Sequence, residues 1–405
     1  VNGDEKVLEK RLGRMMRTNR GHKKGVALIL ALLFIALLTV IVIEFSYESQ
    51  VEASFATNQG SDFQAYLAAK SAVARAIGLL ATDLADTELN GEPEMDSMID
   101  PIPWAQGQPF EPLNDATMRA SISDEYGKIN LNALLDTSLD TPKPRDNLRI
   151  ALEEFFIYRM EDSEDAAKKI VDCIIDWLDY NDDDDEEDEG AENDYYSSLD
   201  PPFACKNGPM DSIEELLLIK HMTPEIYFGD PDKEQLPLSE YLTVHGDWQG
   251  RVNINTAREE VIAAMNAAGV GISGAPGVFD IEEARAIREQ VLNEPYTDAS
   301  QFNRRRPGTT EGEKEGEISM EAGGGLRVNS NMFRIYGDGM LEDIMVRIEA
   351  YVWRTPLTPE EEQEGIRNQG NPPVNQNVPI TGDIPMEATT QPSEKFRILD
   401  WRVIR

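Results

Sequence analysis

The stretch "KKGVALILALLFIALLTVIVIEFSYESQ" occupies residues 23–50, and the nineteen residues from Gly25 to Ile43 carry no charge. An apolar run of that length can cross the hydrocarbon core of a bilayer as a helix. Arg17, Arg20, His22, Lys23 and Lys24 precede it, and Glu44, Glu48 and Glu52 follow it. The positive-inside rule therefore puts the N-terminus in the cytoplasm and everything after Ile43 on the far side of the membrane. A secretory signal would have a shorter apolar core ending in small residues at a cleavage site, and no A-x-A follows here. The apolar pattern continues instead. Val51, Phe55, Phe63, Tyr66, Leu67, Val73, Ile77, Leu80 and Leu84 keep helical spacing. The spacing predicts one helix from about Val26 to about Leu84, roughly 85 Å long at 1.5 Å per residue. Its first third belongs in lipid, and its last third offers one apolar face to a folded domain.

The 405 residues are enough for two or three modest domains, and a 40% hydrophobic content supports a real core. The net charge is −37. Residues 1–25 carry an excess of five positive charges, which leaves −42 on the rest. A body this acidic repels nucleic acid and anionic lipid. Two cysteines and three histidines, with no CxxC or HExxH, argue against a disulfide scaffold and a zinc site. Neither GxSxG nor a Walker A loop is present. The sequence offers no nucleophile–base constellation, so a calcium-dependent hydrolase finds no support.

After the long helix, residues 87–114 are rich in proline and acids and read as loop with short strands. "ATMRASIS" (116–123) alternates Met118, Ala120 and Ile122 with Arg119, Ser121 and Ser123, the pattern of a half-buried strand. "MFRIYG" (332–337), "IMVRIEAYVWR" (344–354) and "FRILDWRVIR" (396–405) are β-branched and aromatic, with Ile344, Val346, Ile348 and Val352 on one face. The expectation is an α+β fold, an antiparallel sheet packed on the long helix. Between these strands lies a helical block, about 127–305. It holds an internal echo, "GKINLNALL" (127–135) and "GRVNINTAREEV" (250–261), 123 residues apart, each followed by helical patterns. Two related helical lobes are expected. The second also resembles a helix-hairpin-helix module, through Asn253, Asn255 and Thr256 before a helix and "GVG" (269–271) before another. Residues 250–306 hold seven Arg and eight acids, whereas phosphate binding needs excess positive charge. A protein–protein module is therefore preferred over a DNA site.

The stretch "DWLDYNDDDDEEDEGAENDYYSSLDPPFACKNGPMDSIEEL" (176–216) places ten acids between Asp182 and Asp194. Such runs are usually solvated loops; the alternative is calcium, which takes six to eight oxygen ligands. Asp179, Asn181, Asp183 and Asp185 open like an EF-hand loop. However, Asp184 stands where that loop needs Gly, and Gly190 where it needs Glu. Cys173 and Cys205 flank the run. In an oxidising compartment they would form either a bridge closing a 33-residue loop, slightly favoured, or two buried thiols.

A basic leader ending in Gly, followed by an apolar helix whose second half is amphipathic, resembles the type IV pilins and pseudopilins. The resemblance implies cleavage by a prepilin peptidase after Gly25 on the cytoplasmic side, with Val26 as the new, N-methylated terminus. In that family the fifth mature position is usually Glu, which pairs with a neighbouring subunit's terminal amine. Here it is Leu30. A subunit lacking that carboxylate fits poorly within a repeating stack and suits its tip, as in the K-type minor pseudopilins of type II secretion. The ordered elements "DW-hydrophobic-D", "GAE", "YY", "PP" and "NGP" in 176–209 resemble the same family. In it this region holds calcium, which implies Asp179, Asn181, Asp183, Glu192 and Asp194 as ligands; the extra acids after Asp183 depart from the family's shorter loop.

The resemblance thus implies a pilin-like α+β fold with an inserted all-helical domain of two SAM-like or helix-hairpin-helix-like lobes. Its parts would be a leader (1–25), a transmembrane and amphipathic helix (26–84), a first α/β segment (85–126), the inserted domain (127–305) and C-terminal strands (306–405). A disordered loop is expected near 355–394, and a start upstream of Val1. The implied function is structural. It is that of a non-enzymatic pseudopilus-tip subunit of the inner membrane that helps initiate assembly and the export of folded proteins. Its implied partners are the I- and J-type minor pseudopilins, the prepilin peptidase and the inner-membrane assembly platform. The competing reading is a membrane-anchored helix-hairpin-helix DNA receptor.

Overall fold

The computed structural model describes residues 4–90, 95–98, 104, 108–136, 142–161, 163–180, 187–269, 279–299, 301–302, 325–355 and 395–404, with side chains in the first helix from Val26 to Leu84. The chain divides into two compact units, residues 1–64 and 65–405. The first is helical throughout its described length and belongs to α1 (Asp4–Asn90). No side chain from Val26 to Gly60 is buried. Leu28, Ile29, Leu33 and Phe34 are each more than half exposed. A helix apolar on every side needs an apolar surround, and this one is long and apolar enough to cross a membrane once.

The second unit begins within α1, where the composition changes from branched aliphatics to alanine. Ala65, Ala69, Ala72, Val73, Ala76, Leu80 and Leu84 form one buried stripe at three- and four-residue spacing. The stripe packs on a five-stranded antiparallel sheet. Its strands are β1 (Glu111–Leu113), β2 (Ala116–Asp124), β9 (Met332–Leu341), β10 (Ile344–Arg354) and β11 (Phe396–Ile404), in that order across the sheet. Ala120, Ile122, Phe333, Ile335, Val346, Ile348, Ala350 and Val352 face the helix. The four long strands and the inward face of β10 agree with the period-two reading. In β9 the helix-facing positions 337 and 339 are glycines. A Cβ on Gly339 would stand 2.0 Å from the Ala65 carbonyl oxygen, and one on Gly337 2.4 Å from that of Ala69. Alanine on the helix and glycine on the strand together set this close approach.

Between β2 and β9 the chain leaves the sheet for a mostly helical module with its own core. In chain order it holds β3 (Ile129–Asn130), β4 (Leu135–Asp136), β5 (Lys143–Pro144), α2 (Asp146–Arg159), α3 (Glu164–Leu178), α4 (Asn193–Ser197), α5 (Pro224–Phe228), β6 (Leu242–Thr243), β7 (Val252–Asn253), α6 (Glu259–Ala267), α7 (Ile281–Asn293) and β8 (Leu326–Arg327). The echo in the sequence is visible in this module. Its two copies place Ile129–Asn130 and Val252–Asn253 in short parallel pairs, with β6 and β8 respectively. In each, the first asparagine side chain accepts a hydrogen bond from the backbone N–H two residues on, at 3.1 Å. One expected helix differs: Ile213–Leu218 forms a 3-10 turn closed by a Ser212/Glu215 capping box. It stops because Ile219 is extended and His221 adopts φ +68°. The "GVG" hairpin lies outside the described residues beyond Gly269, as does the expected loop at 356–394.

Buried polar links join residues distant in sequence, some within the helix-and-sheet unit and some between it and the module. Arg354, 1% exposed, pairs with Asp96 and Asp83 and donates to the Ser330 carbonyl at 2.5 Å. Asp124 of β2 accepts from Ser330 Oγ and Thr256 Oγ1 (both 2.5 Å) and from Asn253 Nδ2 (3.1 Å). Arg334 of β9 pairs with Glu125, Glu240 and Glu349. Paired and hydrogen-bonded, these buried charges fix a register between two cores that apolar contact alone would leave loosely defined.

Candidate cation site

Helix α3 reads "EDAAKKIVDCIIDWL" and buries every residue from Ile170 to Leu178. Two of those residues are aspartates one turn apart, both fully buried: Asp172 and Asp176. Each has a structural partner. Asp172 pairs with Arg149 at 2.6 Å and accepts from the Glu189 N–H at 3.3 Å. Asp176 accepts from the N–H groups of Glu187 (3.1 Å) and Ala191 (2.7 Å). The two carboxylates thus tie the returning limb of the acidic run to the helix. Gly190 lies directly over Asp176, where a Cβ would come within 1.7 Å of Oδ2, so only glycine fits. Lys220 Nζ donates to the Gly190 carbonyl at 2.9 Å, and Tyr196 stacks edge-on against Trp177 at 5.2 Å beneath the loop.

Asp179 follows the last turn of α3 with extended backbone, and Glu192 precedes α4, also extended. Both are buried. The result is a group of three carboxylates, Asp176, Asp179 and Glu192, each with an oxygen within 4.8 Å of the others. Burial pushes the Asp176 carboxyl up to about 7; the two backbone N–H donors oppose this, and the charges of Asp179 and Glu187 add to it. Three acids held this close out of water favour a bound cation or proton uptake. The donors are all oxygen, the set a hard divalent cation prefers over zinc. The nearby Cys205 thiol donates to the Asp176 carbonyl at 3.7 Å, and burial pushes it up to about 12, so no thiolate competes.

Of the ligands expected from the sequence, Asp179 and Glu192 come together here. Asp194 lies on the exposed side of α4, outside the group, and Asn181 and Asp183 lie outside the described residues. Asp176 was missed as a ligand. The available signal was its i, i+3 spacing to Asp179 at the end of an otherwise apolar helix face. The expected bridge is not formed: Cys173 and Cys205 are both buried free thiols. Cys173 Sγ is directed at the Glu189 carbonyl, 3.6 Å away.

Residues 127–228, which contain this site, match the sequence model of the family described as Type II secretion system (T2SS), protein K. Among curated proteins the chain is 26% identical over 278 residues to type II secretion system protein K of Aeromonas hydrophila, covering 66% of this chain and 78% of that protein. It is 26% identical over 251 residues to the protein of the same name from Klebsiella pneumoniae, covering 61% and 70%. Among solved structures the fold resembles a chain of the GspK-GspI-GspJ complex from the enterotoxigenic Escherichia coli type 2 secretion system. The TM-score is 0.54 at 18% identity, over 86% of this chain and 99% of that one.

Proposed function

Since the chain belongs to the type II secretion system protein K family, whose members are assembly components rather than enzymes, we propose that this minor pseudopilin caps the tip of the pseudopilus. There it helps initiate assembly and the export of folded proteins across the outer membrane. The observation that carries the reading is a large helical module inserted between two paired strands, β2 and β9, of a pilin-type helix-on-sheet unit. Bulk of this kind suits a terminal position better than a repeating one. Leu30 supports the same placement, because it offers no carboxylate to a neighbour's terminal amine.

The solved Escherichia coli relative is a complex with I- and J-type subunits. We assign this chain the corresponding partners, together with a prepilin peptidase acting between Gly25 and Val26 and an inner-membrane assembly platform. The apolar helix is its single span, with a cytoplasmic N-terminus and a periplasmic body. Residues 127–305 act as the inserted interaction module, with two helix-hairpin-helix-like lobes. In this reading Asp176, Asp179 and Glu192 hold calcium, with Asn181 and Asp183 of the same run as further ligands. The ion would neutralise the acids and fasten the run to α3. Co-expression with the I- and J-type pseudopilins of the same secretion system tests the assignment. Co-purification in one stoichiometric complex is expected, and a chain that elutes alone in the presence of both contradicts it.

A further inference from the structure

The two edges of the five-stranded sheet differ. β1, at one edge, has three residues, and so short a strand gives another chain little to pair with. β11, at the other edge, has nine. Its helix-facing side chains lie beyond the cover of α1. Ile398, Trp401 and Val403 are 45%, 38% and 41% exposed, whereas Val352, Ala350 and Ile348, opposite them on β10, are fully buried. Trp401 touches the flank of α1. Its ring lies edge-on to Tyr66, with centroids 6.5 Å apart, and 6.0 Å from Lys70 Nζ.

The main chain of the same three residues faces the open edge. In an antiparallel ladder each residue turns its N–H and C=O to one neighbouring strand, and successive residues alternate. The Arg354 N–H bonds the Asn331 carbonyl on the β9 side, and the Thr355 N–H bonds the Lys395 carbonyl on the β11 side, both at 2.7 Å. By that alternation Val352, Ala350 and Ile348 turn to β9, so Ile398, Trp401 and Val403 turn away from β10. The Trp401 N–H accordingly takes its acceptor from its own chain neighbour, the Asp400 carboxylate, at 2.8 Å. Charge on this edge is unevenly matched. Arg402 pairs with Glu349 and Glu214, but Lys70 and Arg397 make no ion pair among the described residues. α1 holds no acid from Ala65 to Thr82, and β11 holds one, Asp400.

We propose that β11 receives an extended segment of a partner polypeptide as a further strand of the sheet. Apolar side chains at alternate positions of that segment cover Ile398, Trp401 and Val403 beside α1, and a carboxylate reaches Lys70 or Arg397. In such an addition main-chain hydrogen bonds hold the segment and alternate side chains select it. A strand is favoured over a helix because the open main-chain groups and the exposed apolar side chains belong to the same residues. A helix has its own main chain paired and would answer the side chains alone. A different chain is favoured over a second copy because two bodies of charge −42 repel each other. The proposal does not rest on the calcium assignment or on the position at the pseudopilus tip.

Isothermal titration of the full chain in detergent micelles, with residue-level amide hydrogen exchange to locate the contact, tests it. The probe is an acetylated, amidated nonapeptide with valine at alternate positions, threonine between them and one threonine replaced by glutamate. Valines opposite Ile398, Trp401 and Val403 turn their amides to β11, so the control is the same peptide with those amides N-methylated. The probe should bind about tenfold or more tighter than the control and slow exchange at Ile398, Trp401 and Val403. Val403→Pro removes an edge N–H and no ladder bond. It should abolish that margin and leave the melting temperature within a few degrees of wild type. Equal binding of the two peptides, no binding of either at millimolar concentration, or slow exchange at these three amides in the chain alone overturns the proposal whether or not the variant folds. Protection by an amphipathic helical peptide alone overturns the assignment to a strand. Protection that grows with chain concentration in the absence of peptide overturns the assignment to a different chain.

Discussion

Asn132 and Asn255, 123 residues apart, close the same hydrogen-bonded ring. Asn132 accepts the N–H of Met210 (2.8 Å) and donates to its carbonyl (2.9 Å); Asn255 does the same with Tyr296 (2.9 and 2.8 Å). A carboxamide used in this way imitates one rung of a strand pair. It fastens a distant loop to the chain two residues past a short strand. The internal echo of the sequence is therefore a repeated device.

The two rings differ in burial: Asn255 is fully buried and Asn132 half-buried. Asn255→Ala is expected to destabilise the second unit by about 2–3 kcal/mol, since two buried main-chain groups lose their partner. Asn132→Ala should cost about 1–2 kcal/mol, because water can replace part of its ring. Urea unfolding of both variants checks the order, and equal or reversed losses contradict it.

Asp124 gives the stability a pH signature. Burial pushes its carboxyl from 3.8 up to about 6, against hydrogen bonds from Ser330, Thr256 and Tyr126 and with some repulsion from Asp96. Because the folded value is raised, the folded state holds its proton between those limits while the unfolded chain has lost it. This group's stabilising contribution is therefore complete below pH 4 and declines as pH rises through 6, by about 3 kcal/mol. Asp124→Asn should remove that decline. The difference in unfolding free energy between wild type and variant, followed from pH 4 to 7, is the measurement; a pH-independent difference refutes the shift.

Calcium should raise the melting temperature of the folded chain. At a hundredfold excess over Kd the stabilisation is about 2.7 kcal/mol. Magnesium should do much less, because it keeps its waters and demands a regular octahedron. Asp176→Asn or Glu192→Gln should abolish the increment, and Asp194→Asn, on the exposed side of α4, should leave it intact. A melting curve unchanged by chelator removes calcium from the account.

Processing is expected between Gly25 and Val26. Co-expression with a prepilin peptidase followed by N-terminal sequencing should return Val26 as the first residue. An intact leader, or a cut on the far side of the apolar run, contradicts the pilin-type reading of the helix.

Most of the frame is legible in the sequence. The alternation in "ATMRASIS" and "IMVRIEAYVWR" reports strands with one face in the core. The passage from all-round apolar to alanine-striped residues in α1 marks where a lipid-suited surface gives way to a packed one. The site was only half legible. Asp179 and Glu192 stand beside an obvious acidic run, but Asp176 sits inside a buried apolar helix, where a carboxylate reads as an anomaly rather than a ligand. What makes it tolerable is main chain from the run itself, the N–H groups of Glu187 and Ala191, and a pattern of side chains cannot show that. The pairing of Arg354 with Asp83 and Asp96 was likewise hidden, because it joins segments separated by more than 250 residues of sequence.

Counting copies along isolated pseudopili tests the proposed terminal position of this chain most directly. With a gold- or dye-labelled tag on the folded domain, one or a few copies at a single end of each filament are predicted. Even decoration along the filament length, in proportion to the main repeating subunit, would contradict it.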